Sequence, residues 1–235
     1  MTSSFRVYEI SVKIFSLKDF KQEEACSISA GFVDACLARN NDYLNFHQTN
    51  CYKLYTQDMP YPTEPDGIYK REKVYTIRIR TVNKELLDYL AKNLSNTSND
   101  YLKGLTVNIR IIPRKYINKI YSITPVVMKL QNGGYWKSNI TFDEYEKLLK
   151  NNLIKKYNYF FNVKLDEDFQ FYTNIQKTNR KPINVKYKNI SLLGDKFDIE
   201  IADNETAQSL AYLALAVGLG GNNSRSCGFV NYKFI

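Results

Sequence analysis

Apolar positions in the first half of the chain switch between a strand period and a helical one. Residues 7–15 carry Val7, Ile10, Val12 and Ile14 in strand fashion. A helix is predicted to follow, opened by Ser16 or Asp19 and running to about Arg39, with Ala25, Ile28, Phe32 and Cys36 on its apolar face. A short strand is predicted over 51–56, and the two prolines within 61–66 mark a loop. Residues 74–81 alternate cleanly. Asn83 caps a helix with Leu86, Leu87, Leu90 and Leu94 on one side, and 105–112 forms a strand that Pro113 ends. The order is β-α-β-β-α-β.

The second half repeats that order. Residues 120–130 read as an edge or interrupted strand because they contain Pro125. Thr141-Phe142-Asp143-Glu144 is a capping-box pattern opening a helix to about Tyr157. Residues 169–177 and 183–192 read as strands, 196–201 as a third, 204–217 as a helix and 228–234 as a closing strand. Two such units predict an α+β protein of tandem ferredoxin-like (RRM-like) βαββαβ domains, 1–116 and 117–235. No low-complexity linker divides them, so the halves are expected to pack together.

Composition narrows the partners. The 235 residues suffice for one large domain or two of ordinary size, and 33 Lys and Arg against 24 Asp and Glu give a net charge of +9. That excess suits a polyanion such as nucleic acid, although basic chains are common. The 19 Tyr and 13 Phe could stack on unpaired bases, with most of them expected in the core. Four cysteines without a Cys-x-x-Cys pair, beside a single histidine, argue against a zinc site and a disulfide framework. They point to a reducing, cytoplasmic setting. No signal core and no apolar stretch of bilayer length is present, so no membrane partner is expected. The acidic run Asp166-Glu167-Asp168 reads as a turn rather than a metal site, and no cofactor is expected.

The segment with the most chemistry is a glycine-rich loop. Gly218, Gly220, Gly221, Asn222, Ser224, Arg225 and Gly228 follow an apolar helix and precede the last strand. Nucleotide-binding loops run from strand to helix and place phosphate at the helix N-terminus. The reversed order here, without Gly-Lys-Ser/Thr, argues against a mononucleotide or dinucleotide site. A plain flexible connection and a loop that tracks a polynucleotide backbone both remain open.

His47, the only histidine, lies in a polar stretch that reads as a loop, and its imidazole suits proton transfer near neutral pH. Lys53, six residues on, could stabilise a developing phosphorane charge or be simply solvated. Tyr43 and Tyr52 are close in sequence. Arg78 and Arg80 share one strand face, and Arg110 sits on another strand. These three are candidates for RNA-backbone contacts, with an ordinary solvated sheet face as the competing reading.

Together these parts resemble the CRISPR-associated endoribonucleases of the RAMP superfamily that process precursor CRISPR RNA. The resemblance is carried by His47-x5-Lys53 with Tyr55-Thr56-Gln57-Asp58-Met59 after it, by Tyr75-Thr76-Ile77-Arg78-Ile79-Arg80-Thr81, and by the loop from Gly218 to Val230. The chain departs from the family pattern in having seven residues between Gly220 and Gly228, Val230 for a final glycine, and Phe32 without a tyrosine in the first helix. The resemblance implies metal-independent cleavage of CRISPR repeat RNA by the ribose 2′-OH, leaving 2′,3′-cyclic phosphate and 5′-OH ends. It assigns His47 as general acid or base, Lys53 as the charge stabiliser and the glycine loop with Arg225 as the RNA grip; with no tyrosine in the first helix, Tyr43 is taken as the substitute third partner. It also implies delivery of product RNA to a type I interference complex, whose subunits are then partners, and leaves a homodimer open. The competing class is a non-catalytic RAMP RNA-binding subunit, which would not require His47.

Overall fold

The structure, a computed structural model, describes residues 5–130, 133–187 and 190–235, without the side chains of His47, Tyr187 and Ile190. In the first half, β1 (Val7–Ser16) leads through β2 (Phe20–Lys21) to α1 (Ala25–Leu37) and α2 (Asn41–Gln48). Then come β3 (Tyr55–Gln57), β4 (Ile68–Tyr69), β5 (Val74–Thr81), α3 (Lys84–Asn93) and β6 (Leu102–Ile112). The expected faces are buried: Ile10, Val12 and Ile14 of β1 pack with Phe32 and Cys36 of α1 and with Leu86, Leu87 and Leu90 of α3. Residues 16–24 do not join the first helix. β2 pairs there with β4, and α1 begins only at Ala25.

A correction falls on the segment around His47, expected to be a loop. It is the helix α2. The Asn40 side chain accepts from the amides of Asp42 at 2.8 Å and Tyr43 at 3.2 Å, an N-cap that satisfies donors the first turn leaves open.

In the second half, β7 (Ile117–Ser122) and α4 (Phe142–Phe161) precede β8 (Tyr172–Lys177), β9 (Ile183–Tyr187) and β10 (Ile190–Gly194). β11 (Phe197–Ile201), α5 (Glu205–Val217) and β12 (Val230–Phe234) complete it. Thr141 and Glu144 form the expected capping box on α4. Two strands differ from expectation. β7 ends at Ser122, before Pro125, which has no amide hydrogen to give a ladder. The single strand expected over 183–192 is the antiparallel hairpin β9–β10, whose turn lies outside the described residues.

The two main sheets have the same topology. Their strand orders are β3-β5-β1-β6 and β12-β7-β11-β8, which is one ferredoxin-like order read from opposite ends. All their ladders are antiparallel. Residues 113–116 carry the chain from one sheet to the other.

α5 joins the halves. It is apolar all round, and Leu210 through Val217 are all buried, as a helix covered on every side requires. It packs against β1, β3 and β5 of one sheet, β7, β11 and β12 of the other, and α4. The Tyr212 hydroxyl accepts from the Val7 amide at 3.1 Å and donates to the Ile112 carbonyl at 2.6 Å. One apolar core therefore includes Val7, Val82 and Ile112 from the first half with α4 and α5.

Arg80 is a second tie and a second correction. Strand alternation puts it beside Arg78 on a face expected to meet RNA, yet it is 0% exposed. Its guanidinium donates to Glu9 Oε2 at 2.7 Å, the Val230 carbonyl at 2.6 Å and Asn231 Oδ1 at 2.8 Å, and it lies 4.4 Å from the Phe229 ring centroid. The other half covers that part of the sheet, so Arg80 binds protein rather than solvent. Among the described residues no helix is long and apolar enough to cross a membrane.

Candidate functional site

The glycine-rich segment is a tightly built loop rather than a slack connection. It leaves α5 at Gly218 and folds back on itself and on the strand-breaking segment after β7. The Leu219 amide donates to the Gly228 carbonyl at 2.9 Å, Gly228 to the Pro125 carbonyl at 2.8 Å and Gly221 to the Val127 carbonyl at 2.7 Å. Asn223 Nδ2 donates to the Leu219 and Cys227 carbonyls at 2.9 and 3.0 Å. Gly228 has φ +66°, and a Cβ there would fall 1.9 Å from the Leu219 oxygen. That glycine is demanded by the loop's own packing. Gly221 is different, since a Cβ there would meet only the Val127 oxygen at 3.6 Å.

A cavity of about 370 Å³ lies between this loop, the segment 49–55 and one side of α4. Gly220, Gly221, Asn222, Ser224 and Arg225 of the predicted grip line it, as do Lys53 and Tyr52. Gly218 and Gly228 support the loop from behind and do not line the cavity. His47 sits on the last turn of α2, two residues before Thr49, where the lining begins. Folding thus brings together two segments that the sequence separates by well over a hundred residues.

Lys53 closes the C-terminus of α2. Its ammonium donates to the Thr49 carbonyl at 2.6 Å and to the Phe46 carbonyl, and lies 4.7 Å from the Phe46 ring centroid. A cation at the carbonyl end of a helix is favourably placed. Arg225 reaches across to Asp34 on α1, which fixes the loop against the first half. Gln57 Nε2 donates to the Ser224 carbonyl at 3.2 Å and adds a second link.

Tyr43 is placed elsewhere. Its ring lies 4.2 Å from that of Tyr89 on α3, and it does not line the cavity. Tyr52 does, edge-on at 5.4 Å to the half-exposed Tyr159 of α4. Arg78 and Arg110 also lie apart. Arg78 pairs with Asp58, whose carboxyl burial pushes up and Arg78 only partly draws back. Arg110, 59% exposed, donates to Glu9 Oε1 at 2.6 Å. Burial raises the Glu9 carboxyl, but the two arginines more than offset this and hold it below the usual range. The run 166–168 is exposed and lies outside helix and strand.

The third wall was not anticipated. On α4, Asn152 and Lys156 are one turn apart and both line the cavity. Lys156 is 3% exposed, and its Nζ donates to the Gly218 and Gly220 carbonyls at 2.8 and 2.7 Å and to Asn223 Oδ1 at 2.7 Å. Burial brings its pKa down to about 7. A signal exists in the sequence. Leu149, Leu153, Lys156 and Tyr157 recur at helical spacing, so a lysine occupies an apolar stripe.

A family model described as CRISPR associated protein Cas6, C-terminal, matches residues 111–232, just over half of the chain. No curated protein sequence matches the chain. Among solved structures, a CRISPR-associated protein Cas6 is similar at a TM-score of 0.71 and 20% identity, over 97% of this chain and 99% of that one. A Cas6-related protein from Pyrococcus furiosus gives 0.68 at 16% identity, over 97% and 98%. A Cas6 product complex gives 0.62 at 14% identity, over 97% and 100%. At these identities the likeness is one of fold.

Proposed function

This chain belongs to the Cas6 family of CRISPR-associated RAMP proteins, and from that premise we propose that it is a metal-independent endoribonuclease cutting repeat RNA within precursor CRISPR RNA. The observation that carries this reading is the meeting of segment 49–55, just after His47, with the glycine-rich loop across one cavity. A cavity lined by Lys53 and Arg225, with partly exposed backbone at Gly221, suits a phosphodiester. Its partner would be single-stranded or stem-loop RNA, met in the cytoplasm.

The ribose 2′-oxygen attacks the adjacent phosphorus, and the bond to the 5′-oxygen breaks. His47 takes the 2′-OH proton or supplies one to the leaving oxygen, leaving 2′,3′-cyclic phosphate and 5′-OH ends. Lys53 and Arg225 stabilise the charge that builds on the phosphorane oxygens. Holding the 2′-OH in line with the leaving oxygen is the loop's share of the work. Tyr52, on the cavity wall, takes the third-partner role expected of Tyr43 and orients the ribose or phosphate.

The test is cleavage of labelled repeat RNA in EDTA by the wild type and by His47→Ala, with a second RNA carrying one 2′-deoxy at the cut site. The expected outcome is cleavage by the wild type that either change reduces by at least about a hundredfold. Binding without cleavage by the wild type assigns the chain to the non-catalytic RNA-binding class. Undiminished cleavage by His47→Ala overturns the site assignment.

A further inference from the structure

Lys156 has an unusual set of partners. An ammonium withdrawn from water is ordinarily paired with a carboxylate. Lys156 instead meets three neutral oxygens, the Gly218 and Gly220 carbonyls and Asn223 Oδ1, with the Val217 carbonyl further off at 3.4 Å. Among the described residues no Asp or Glu lines the cavity. The charged and titratable groups that face this region are Lys53, Tyr52, Tyr55 and Cys51 from the opposite wall and Arg225 from the loop. Asp34 on α1 pairs with Arg225. His47 lies two residues beyond the lining. Among the described residues the cavity is therefore cationic, and its buried ammonium meets no carboxylate.

A second observation on the same wall points to a ligand. Asn152 Oδ1, one turn before Lys156, is buried and has no hydrogen-bond partner among the described residues. A buried acceptor left unmade is costly, and a ribose hydroxyl is a donor of the right size to satisfy it.

We propose that the α4 wall is the ribonucleotide-binding side of this cavity, with Lys156 as the buried counter-charge of a bound phosphodiester and Asn152 as acceptor for a ribose hydroxyl. This rests on the reading of the chain as an RNA-cleaving member of its family. Lys156 acts through the loop it holds, since its donors are engaged by loop oxygens, and is a positioning residue rather than a catalytic one. The cost of burying its charge falls when an anion enters, so RNA binding and protonation of Lys156 favour each other. In the free protein burial leaves this lysine half-deprotonated near neutrality. The sign follows. Below about pH 6.5 the ammonium is already formed and affinity is flat. Above about pH 7 binding must take up a proton, and affinity falls.

The experiment measures affinity for repeat RNA blocked by a 2′-deoxy at the cut site, from about pH 6 to pH 9 at constant salt. It uses the full chain carrying His47→Ala, so that no imidazole titrates at the site. The expected result is a loss of about tenfold between pH 6.5 and pH 8.5, with proton uptake seen by calorimetry in buffers of different ionisation enthalpy. Added to that chain, Lys156→Gln should bind more weakly at low pH and show no such slope. Lys156→Arg, charged throughout, should also lose the slope while keeping affinity. Binding without proton uptake overturns the proposal, as does an unchanged slope in Lys156→Gln. Because uptake is read in the chain that retains Lys156, a folding defect in a variant does not block the test. Failure to bind repeat RNA at any pH removes the functional reading as well, a result distinct from pH-independent binding.

Discussion

Lys53 and Lys156 each hold the carbonyl end of a helix, Lys53 on α2 and Lys156 on α5, yet one does so half-exposed and the other in the core. The attraction of a cation to the last carbonyls is common to both. The difference is the cost of leaving water, which is small for Lys53 and large for Lys156. Two guanidiniums repeat the contrast on one carboxylate. Arg80 meets Glu9 with 0% exposure, and Arg110 meets it with 59%. Burial, rather than residue type or partner, decides which basic side chains are structural in this molecule.

The sharpest way to break that comparison is at Glu9. Arg80→Ala should cost about 3–5 kcal/mol, because it leaves a buried carboxylate short of its main partner and two inter-half hydrogen bonds unmade. Arg110→Ala should cost under about 1 kcal/mol, since solvent screens that pair. Denaturant unfolding of the two variants reads the difference, and equal costs would sink the argument. The Glu9 pair also has a pH signature. Its carboxyl is held low in the fold, so the stability it adds is complete above the unfolded carboxylate pKa and is lost as pH falls through the lower folded value.

Next in size is the loop that supplies the carbonyls for Lys156. Gly228→Ala should destabilise by about 3 kcal/mol or more and abolish cleavage, because its Cβ collides with the Leu219 backbone at positive φ. Gly221→Ala should stay within about 0.5 kcal/mol. A tolerated Gly228→Ala would show that the loop is slacker than its hydrogen bonds indicate.

How much of this was readable from sequence follows the same division. Period-two and period-3.6 patterns report local structure, so the paired βαββαβ order, the Asn83 and Thr141 caps and the apolar faces of α1 and α3 emerged directly. The helix α2 was missed because Tyr43, Leu44 and Phe46 are interleaved with asparagines, although Asn40 followed by Asp42 is a cap signal. Alternation put Arg78 and Arg80 on one face correctly. Only the docking of the second half, through Val230 and Asn231, decides that one of them is buried. The same limit hid Asn152 and Lys156. The partners of Lys156 come from the end of α5 and the glycine loop, far along the chain, and its place in the apolar stripe of α4 tells that it is buried but not what it meets.

Lys156 itself offers a subtler break. Lys156→Met removes a costly buried charge and also leaves the Gly218 and Gly220 carbonyls without their donor. The two effects separate with pH. The folded pKa of about 7 lies below the unfolded lysine value, so between the two the unfolded chain binds more protons and wild-type stability rises with pH. The penalty of Lys156→Met should therefore grow from about pH 7 towards pH 10, by up to about 1.4 kcal/mol per pH unit. A penalty that stays flat across that range would mean that the ammonium is stabilised by a counter-charge and is not simply desolvated.

The smallest effect belongs to the other wall. Lys53→Met should cost only about 0.5–1 kcal/mol of stability, the usual worth of a partly exposed cation at a helix C-terminus. It leaves the Phe46 ring contact to a methyl group of similar reach. Its effect on cleavage should be far larger than its effect on folding, because the charge that faces the cavity is removed while α2 stays in place. Unfolding curves and single-turnover cleavage rates on the same preparation compare the two. If stability and rate fall together, Lys53 serves the helix alone, and the charge facing the phosphodiester must come from Arg225 and the buried lysine behind the loop.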